Sequence, residues 1–441
     1  MNCLKFYLSL IIARFVYTCV KIFAHTSGTS LAGKMVLKFY PNFLVQCKKY
    51  IKHKIITVSG TNGKTTTSGL VAHILEGNNN KIIHNLKGAN MLTGIANAFA
   101  LEIAPHKRYD YAVIESDEAY LHKLYEYMDA DYLIITNLFR DQLDRYGELA
   151  TTASFIKKAI DKNNNLKLIL NADDPLVTNL GKDRDNVLYY GFENVEFDYE
   201  NKTSNSPSET FNCICGKPLE YNKHFFAQQG HYYCNICGYR RPKCKYEAYA
   251  KICSNYSILT INNIKYRTNL IGLYNAYNAL ASIILALEIG LKPEQIQCAL
   301  YSYKSIFGRT EKRRINGHNA LIQLIKNPTG ASEVLKTVDT NSNIIIAIND
   351  NYADGRDISW LWDSDFEQLK NVSKKIITSG TRANDMAIRL KYAGIDDKKI
   401  IIEPNIKKAI EISAQAEDKT ENITILPSYT ALLQINKEKF E

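Results

Sequence analysis

Residues 56–70, ITVSGTNGKTTTSGL, restrict the fold of this chain more than any other stretch of it. A compact apolar run enters a loop with two glycines, and Gly63-Lys64-Thr65 then opens a helical pattern. A strand, a glycine turn and a helix N-terminus in that order aim backbone N–H groups at an anion. They also bring a lysine to the outer phosphates of a nucleotide and leave a hydroxyl to ligate Mg²⁺. The expected nucleotide-binding residues are Gly60, Thr61, Asn62, Gly63, Lys64, Thr65 and Thr66. A generic P-loop would have glycine where Val58 stands, so this loop is a shorter form.

The rest of the chain fits an α/β fold around that loop. Ile55–Val58, Tyr111–Ile114, Tyr132–Ile135 and Leu166–Leu170 are short apolar runs that read as buried parallel strands, separated by helical stretches such as Thr65–Glu76 and Thr151–Lys162. Residues 198–210 are polar and turn-rich and break the alternation; a strand-like Ser257–Ile261 and a helical Ala276–Leu287 follow. A second α/β block has strands at Ile344–Ile348, Lys375–Thr378, Lys399–Ile402 and Ile423–Leu426. At roughly 150 residues per domain, 441 residues suit about three units. The expected division is a helical segment 1–54, an ATP-binding domain 55–310 with an insertion near 200–246, and a smaller Rossmann-like domain 311–441.

Ten cysteines are present, and five of them lie between Cys213 and Cys244. Cys213-x-Cys215 and Cys234-x-x-Cys237 are two close pairs about 20 residues apart, each followed by glycine, which is the spacing of a four-thiolate zinc ribbon. Cys244 is an alternative ligand. Four thiolates close the coordination sphere, so the expected Zn²⁺ is structural, contributing roughly 10–16 kcal/mol of apparent binding free energy in comparable small sites. A secreted disulfide framework would be spread through a smaller chain.

The net charge of +10 fits a phosphate-rich substrate, an anionic membrane surface, a nucleic acid or simply a solvated basic face. Residues 7–24, YLSLIIARFVYTCVKIFA, are apolar, but Arg14 and Lys21 interrupt them. That pattern suits a helix packed on the protein's own body or lying on a membrane surface better than a cleaved signal or a spanning helix.

Further motifs follow the phosphate loop: VIESDE (113–118), ITNLFRDQLDRYGE (135–148), LNADDP (170–175), GLYNAYNAL (272–280), FGRTE (307–311) and KNPTG (326–330). Together with the loop they resemble, in order, the motifs of the Mur ligases and folylpolyglutamate synthetases. The resemblance implies that Glu115 holds Mg²⁺, that Asn137, Asn275 and Asn278 contact the nucleotide, and that Arg309 reaches the phosphates of ATP. Asp141 and Asp144 match the family's acidic stretch, while Gln142, Tyr274 and Lys326 stand where the family has histidine. Lys157 is about one residue away from the position of the family's carbamylated lysine, so that role is not carried over.

The cysteine insertion and the C-terminal block resemble the MurT-like branch of the family. This implies an ATP-dependent synthetase subunit that amidates the α-carboxylate of D-glutamate in the lipid II stem peptide. The route would be an acyl phosphate and ammonia from a GatD-like glutamine amidotransferase subunit. None of the ten cysteines sits in the Gly-x-Cys-x-Gly setting of a glutaminase nucleophile. In IIIAINDNYADGRDISWLWD (344–363), Asp350 is expected to complete the partner's Cys-His pair, with Asp354 in reserve. Only about 50 residues precede the loop, too few for the UDP-gripping domain of other Mur ligases, which suggests a lipid-borne substrate. The expected location is the cytoplasm, at the inner face of the plasma membrane, with no nucleic-acid partner. The rival readings are a Mur-type amino-acid-adding ligase, such as a folylpolyglutamate-synthetase-like enzyme, and a zinc-ribbon protein acting on nucleic acid.

Overall fold

Strand β1 (Ile51–Ser59) alternates its side chains between two cores: Ile56 and Val58 enter one, Ile55 the other. It lies inside a six-stranded sheet with β2 (Ile82–His84), β3 (Tyr109–Glu115), β4 (Tyr132–Ile135), β5 (Lys167–Asn171) and β6 (Val187–Tyr190). The order is β2-β3-β1-β4-β5-β6 and every pairing is parallel. Both faces are covered, which is why these strands are near-continuous apolar runs. The computed structural model describes residues 2–23, 29–85, 89–140, 149–198, 212–304, 309–415 and 422–438.

One face of this sheet carries helices α1 (Asn2–Phe23), α2 (Thr29–Phe39) and α3 (Phe43–Cys47). Helix α4 (Lys64–Glu76) leaves the phosphate loop for the opposite face, while α5 (Leu92–Glu102), α6 (Glu118–Leu124), α7 (Leu149–Ile160) and α8 (Pro175–Leu180) complete the first. A second sheet takes β7 (Asn194–Phe197) from one side of the cysteine insertion. That insertion is the hairpin β8 (Glu220–Phe226) and β9 (Gln229–Tyr233). The sheet's other strands follow it: β10 (Ala248–Ile252), β11 (Ser257–Ile261) and β12 (Ile264–Thr268), in the order β12-β11-β10-β7. Helices α9 (Leu273–Glu288) and α10 (Pro293–Ser302) fill the space between this sheet, α4 and the first sheet.

The third sheet has the order β13-β14-β18-β15-β16-β17, from β13 (Arg309–Ile315), β14 (His318–Gln323), β15 (Asn343–Ala347), β16 (Ile376–Ser379), β17 (Ile400–Ile402) and β18 (Ile423–Pro427). Only the β13–β14 pairing is antiparallel. Ile344 and Ile346 face a core with α11 (Pro328–Lys336) and α12 (Ala383–Tyr392), whereas Ile345 and Ala347 face one with α13 (Ile406–Ser413) and α14 (Tyr429–Ile435). The strands expected from apolar runs form within a residue or two of their expected limits, except that β1 begins at Ile51, four residues before the expected Ile55, because residues 52–54 are polar and exposed. β2 and β6 escape such a reading because each is only three or four residues long and half-covered. The expected polar excursion lies almost wholly outside the described residues.

The N-terminal segment docks on the body of the protein. Phe6 stacks on Phe43 and Tyr50 with ring centroids 5.2 and 5.5 Å apart. Arg14, which breaks the apolar run, donates to the carbonyls of Leu101 and Ile103 at 3.3 and 2.5 Å, beside the C-terminal end of α5 where a cation is favoured. Among the described residues no helix is long and apolar enough to cross a membrane.

A buried carboxylate ties the insertion to the rest. Asp173, in the turn after β5, accepts from Arg241 Nε at 2.5 Å, Tyr277 Oη at 2.7 Å and the Phe192 amide at 2.8 Å. Burial pushes its pKa up, while the Arg241 charge opposes the shift. Removing Asp173 leaves the buried Arg241 charge with only the partly exposed Glu193, 3.0 Å away, as its ion-pair partner. Asp173→Ala should therefore cost about 3–5 kcal/mol in denaturant melts. A loss under about 1 kcal/mol, the range of an exposed pair, would show that Arg241 is solvated or re-paired.

Candidate active site

The phosphate loop is gripped from three sides. Gly60 has φ +121° and Gly63 φ +87°, and a side chain on either would collide: a Cβ on Gly63 would lie 2.0 Å from Asn278 Oδ1, and one on Gly60 2.4 Å from Thr136 Oγ1. Glycine is needed at both positions on conformation and on space. Asn137, just past β4, receives the Asn62 amide on Oδ1 at 2.9 Å and donates from Nδ2 to the Asn62 carbonyl at 3.0 Å. Its carbonyl also accepts from the Thr61 amide at 2.9 Å. From the third sheet, Asn327 exchanges two amide hydrogen bonds with the Asn62 side chain, at 3.2 and 2.9 Å.

Lys64 is buried in the same place. Its Nζ donates to the Gly60 carbonyl at 2.6 Å and lies 3.1–3.2 Å from both oxygens of Glu118, the first residue of α6. Burial pushes the Glu118 carboxyl up, and the Lys64 charge pulls it back. Glu115 ends β3 beside Val58. One of its oxygens accepts from Asn90 Nδ2 at 3.3 Å, while Oε2 is buried with no hydrogen-bond partner. A buried carboxylate oxygen left open at the C-terminal end of a parallel strand, with Thr65 lining the same cavity, suits a hard divalent cation.

Two cavities meet at the loop. The larger, about 390 Å³, runs from Thr61, Lys64, Thr65, Glu115 and Glu118 to Asn349, Asp354 and Trp360 in the third-sheet region. The smaller, about 90 Å³, is walled by Asn62, Gly63, Thr66, Phe139, Tyr274, Asn275 and Asn278. Phe226 and Gln229, from the tip of the cysteine hairpin, close it. Neither residue carries a motif signal, since only the fold of the insertion brings the tip to the loop. Asn278 also accepts from Thr67 Oγ1 at 3.3 Å, and Asn275 donates to the Ile271 carbonyl at 2.9 Å, so α9 starts against α4. Arg309 opens β13 opposite Gln323, but its side chain lies outside the described residues, as do Asp141, Gln142 and Asp144. Lys157 lies on the surface of α7, paired with Asp161.

The acidic loop after β15 divides its labour. Asp354 is buried and tied down: it accepts from the Thr430 amide at 2.7 Å and the Asn351 amide at 3.2 Å, and burial raises its pKa. Asp350 is partly exposed. It accepts from Thr381 Oγ1 at 2.8 Å and Arg382 Nη2 at 2.7 Å, which hold its carboxyl below the usual range. It follows β15, the strand at which the order reverses, and leans on the loop after β16; the carboxyl ends of strands at such a point are the usual ligand position in open α/β sheets. Trp362 is about half exposed and meets Tyr392 edge-on at 5.5 Å.

The sulfurs of Cys213, Cys215, Cys234 and Cys237 all lie within 4.8 Å of one another, with 213–237 at 3.4 Å and 215–234 at 3.7 Å. Tetrahedral thiolates about 2.3 Å from a zinc ion would be about 3.8 Å apart, so the set fits such an ion. Cys244 is not part of it: its sulfur accepts from Arg241 at 3.6 Å, and burial pushes the thiol up to about 12.

Residues 58–237 match the Mur ligase middle domain, and residues 324–432 match the MurT ligase C-terminal domain. A MurT subunit of lipid II isoglutaminyl synthase (glutamine-hydrolyzing) from Staphylococcus aureus is 38% identical over 92% of this chain and 91% of its own. The chain belongs to the MurT family of Mur ligases. The corresponding MurT subunit from Streptococcus pneumoniae is 34% identical over 93% of this chain and 92% of its own. Among solved structures, a pseudomurein peptide ligase type C from Methanothermus fervidus superposes with a TM-score of 0.67 at 22% identity, covering 92% of this chain and 84% of that one. At that identity the likeness establishes the Mur ligase fold alone.

For a MurT-family loop of this geometry, Lys64→Ala should cut ATP turnover at least about 100-fold, the scale of losing one preorganised charge on a phosphoryl oxygen. Steady-state phosphate release checks it, and turnover within about tenfold of the parent would dissociate Lys64 from the chemistry.

Proposed function

We propose that this chain is the ATP-dependent synthetase subunit that converts the α-carboxylate of D-glutamate in lipid II to the amide, using ammonia from a GatD-like glutaminase partner. The larger cavity carries this reading, because one space joins the phosphate loop and its acids to the loop after β15. The names of the two MurT relatives, each a subunit of a glutamine-hydrolyzing synthase, support the same assignment.

In this mechanism the loop backbone and Lys64 receive the outer phosphates of ATP, and Lys64 exchanges the Gly60 carbonyl and Glu118 for a phosphoryl oxygen. Glu115 and the Thr65 hydroxyl would hold Mg²⁺, which neutralises charge on the transferring phosphoryl group. Asn275, Asn278 and Tyr274, closed in by Phe226, form the wall for the nucleoside end. Arg309 is assigned to the phosphates. The acceptor carboxylate attacks the γ-phosphorus, ADP leaves, and an acyl phosphate forms. Ammonia then adds to the acyl carbon, phosphate departs and a proton is lost, leaving the amide.

Asp350 is the residue we assign to the partner. Thr381 and Arg382 use one lone pair on each oxygen, which leaves acceptor capacity for an imidazole N–H. A carboxylate there would orient and stabilise the partner's histidine. The match to the MurT C-terminal domain over residues 324–432 favours amidation over amino-acid addition. The four cysteines are assigned to one structural Zn²⁺ that shapes the hairpin. The proposed use of ATP supports a cytoplasmic assignment.

Two outcomes follow. Asp350→Asn, assayed with its glutaminase partner, should lose glutamine-driven amidation by about 10⁴-fold, by analogy with the Asp of a Ser-His-Asp triad. Amidation from free ammonium should persist; loss of both would point to a folding defect. Metal analysis of the purified chain should find about one zinc per chain, the content of a closed four-thiolate site. Cys215→Ser should lower that content and the melting temperature together, and a metal-free chain with an unchanged melt would remove the assignment.

A further inference from the structure

Helix α1 has two apolar stripes, and the fold uses only one. Phe6, Leu10 and Ala13 are buried against the body of the protein. On the other side Leu4, Leu8, Ile11, Phe15 and Ile22 are 42–75% exposed. Their spacing of three, four and seven residues puts them along one line of the helix. Helix α2 packs beside α1, and both pack on α5. On α2, Leu31, Met35 and Phe39 are exposed by 41–49%, extending the same surface. A run of exposed large apolar side chains of this length marks an interaction surface.

The charge of this segment says what covers it. Residues 1–54 hold nine of the chain's lysines and arginines and none of its Asp or Glu, so nine of its ten net positive charges lie here. Lys5, Lys21, Lys34 and Lys38 are exposed among the apolar residues, with no ion pair among the described residues. Apolar side chains ringed by lysines, on a helix that does not qualify to cross a membrane, describe a helix lying in an anionic lipid interface. A second copy of the chain would bring two strongly cationic faces together, which opposes self-association.

The surface is also continuous with the site. Gly33 of α2 lies against the backbone of Thr93 in α5, so close that a Cβ there would be 1.7 Å from the Thr93 carbonyl oxygen. Ser30 at the start of α2, and Met91 and Gly94 at the start of α5, line the larger cavity. The geometry points to the exposed α1–α2 face as the surface that docks the enzyme on an anionic bilayer, with the larger cavity opening beside it. This deepens the proposed function, which supplies the lipid-linked acceptor, but its test needs no acceptor and no turnover.

The test is co-sedimentation of the full chain with vesicles of phosphatidylcholine alone, or with about one-third phosphatidylglycerol. The chain should bind the anionic vesicles, release with added salt and bind the neutral ones at least about tenfold more weakly. Ile11→Glu with Phe15→Glu should weaken binding to anionic vesicles about tenfold or more. Lys34→Glu with Lys38→Glu, exposed changes that leave the packed stripe intact, should do the same. The melting temperature of each variant is measured alongside. Equal binding to both vesicle types, no binding, or unchanged binding by both folded variants would overturn the proposal. So would a dimer that Phe15→Glu dissociates in the absence of vesicle binding. Glutamine-dependent amidation in detergent is scored separately, and its failure with vesicle binding intact would sink only the catalytic reading.

Discussion

The double grip on Asn62 holds the site together. Asn137, from the end of a strand in the first sheet, fixes its backbone, and Asn327, from the helix start that follows β14, fixes its side chain. The phosphate loop is thus built from one sheet and finished by another. Amide hydrogen bonds pair donors with acceptors here without introducing a charge, so the contact is specific at little electrostatic cost. Charge is left to Lys64, Glu115 and Glu118, which face the cavity where phosphates and a cation would supply the counter-charges.

The cysteine insertion matters here because its tip reaches inward. Phe226 and Gln229 close the small cavity, and Gln228 donates to the Leu138 carbonyl at 2.7 Å in the loop just past Asn137. At the other end, Arg241 anchors the insertion on Asp173, while Tyr239 donates to the Pro175 carbonyl. The hairpin has a core of few residues, among them Leu219 and Tyr232 with two of the cysteines. So small a core gives little stability by itself. The buried ion pair with Asp173 and the Tyr239 hydrogen bond fix it against the first sheet as a cavity wall, and the proposed Zn²⁺ would cross-link its two cysteine pairs.

The acidic loop shows why residue type alone does not assign a role. Asp350 and Asp354 are four residues apart in one loop, yet one is spent on Thr430 and the other faces outward on Thr381 and Arg382. Gly380, at φ +86°, makes the second arrangement possible, because a side chain there would strike the Ile348 carbonyl at 2.4 Å. Without that turn Thr381 could not reach Asp350. At the opposite end of the chain, the fold buries one stripe of α1 and leaves the other exposed.

The sequence by itself determined the elements whose physics is local. The phosphate loop needs glycine, lysine and threonine at fixed spacing, buried parallel strands need unbroken apolar runs, and a four-thiolate site needs paired cysteines at short range. These were legible from Gly60 to Thr66, from Ile344 to Ile348 and from Cys213 to Cys237. Which carboxylate pairs with Lys64, which aspartate of 350 and 354 stays available, that Cys244 stands outside the cluster, and that Phe226 walls the smaller cavity were decided only by tertiary structure. Each depends on distances between segments far apart in the chain, set by how three sheets pack, and no local pattern of residues encodes those distances.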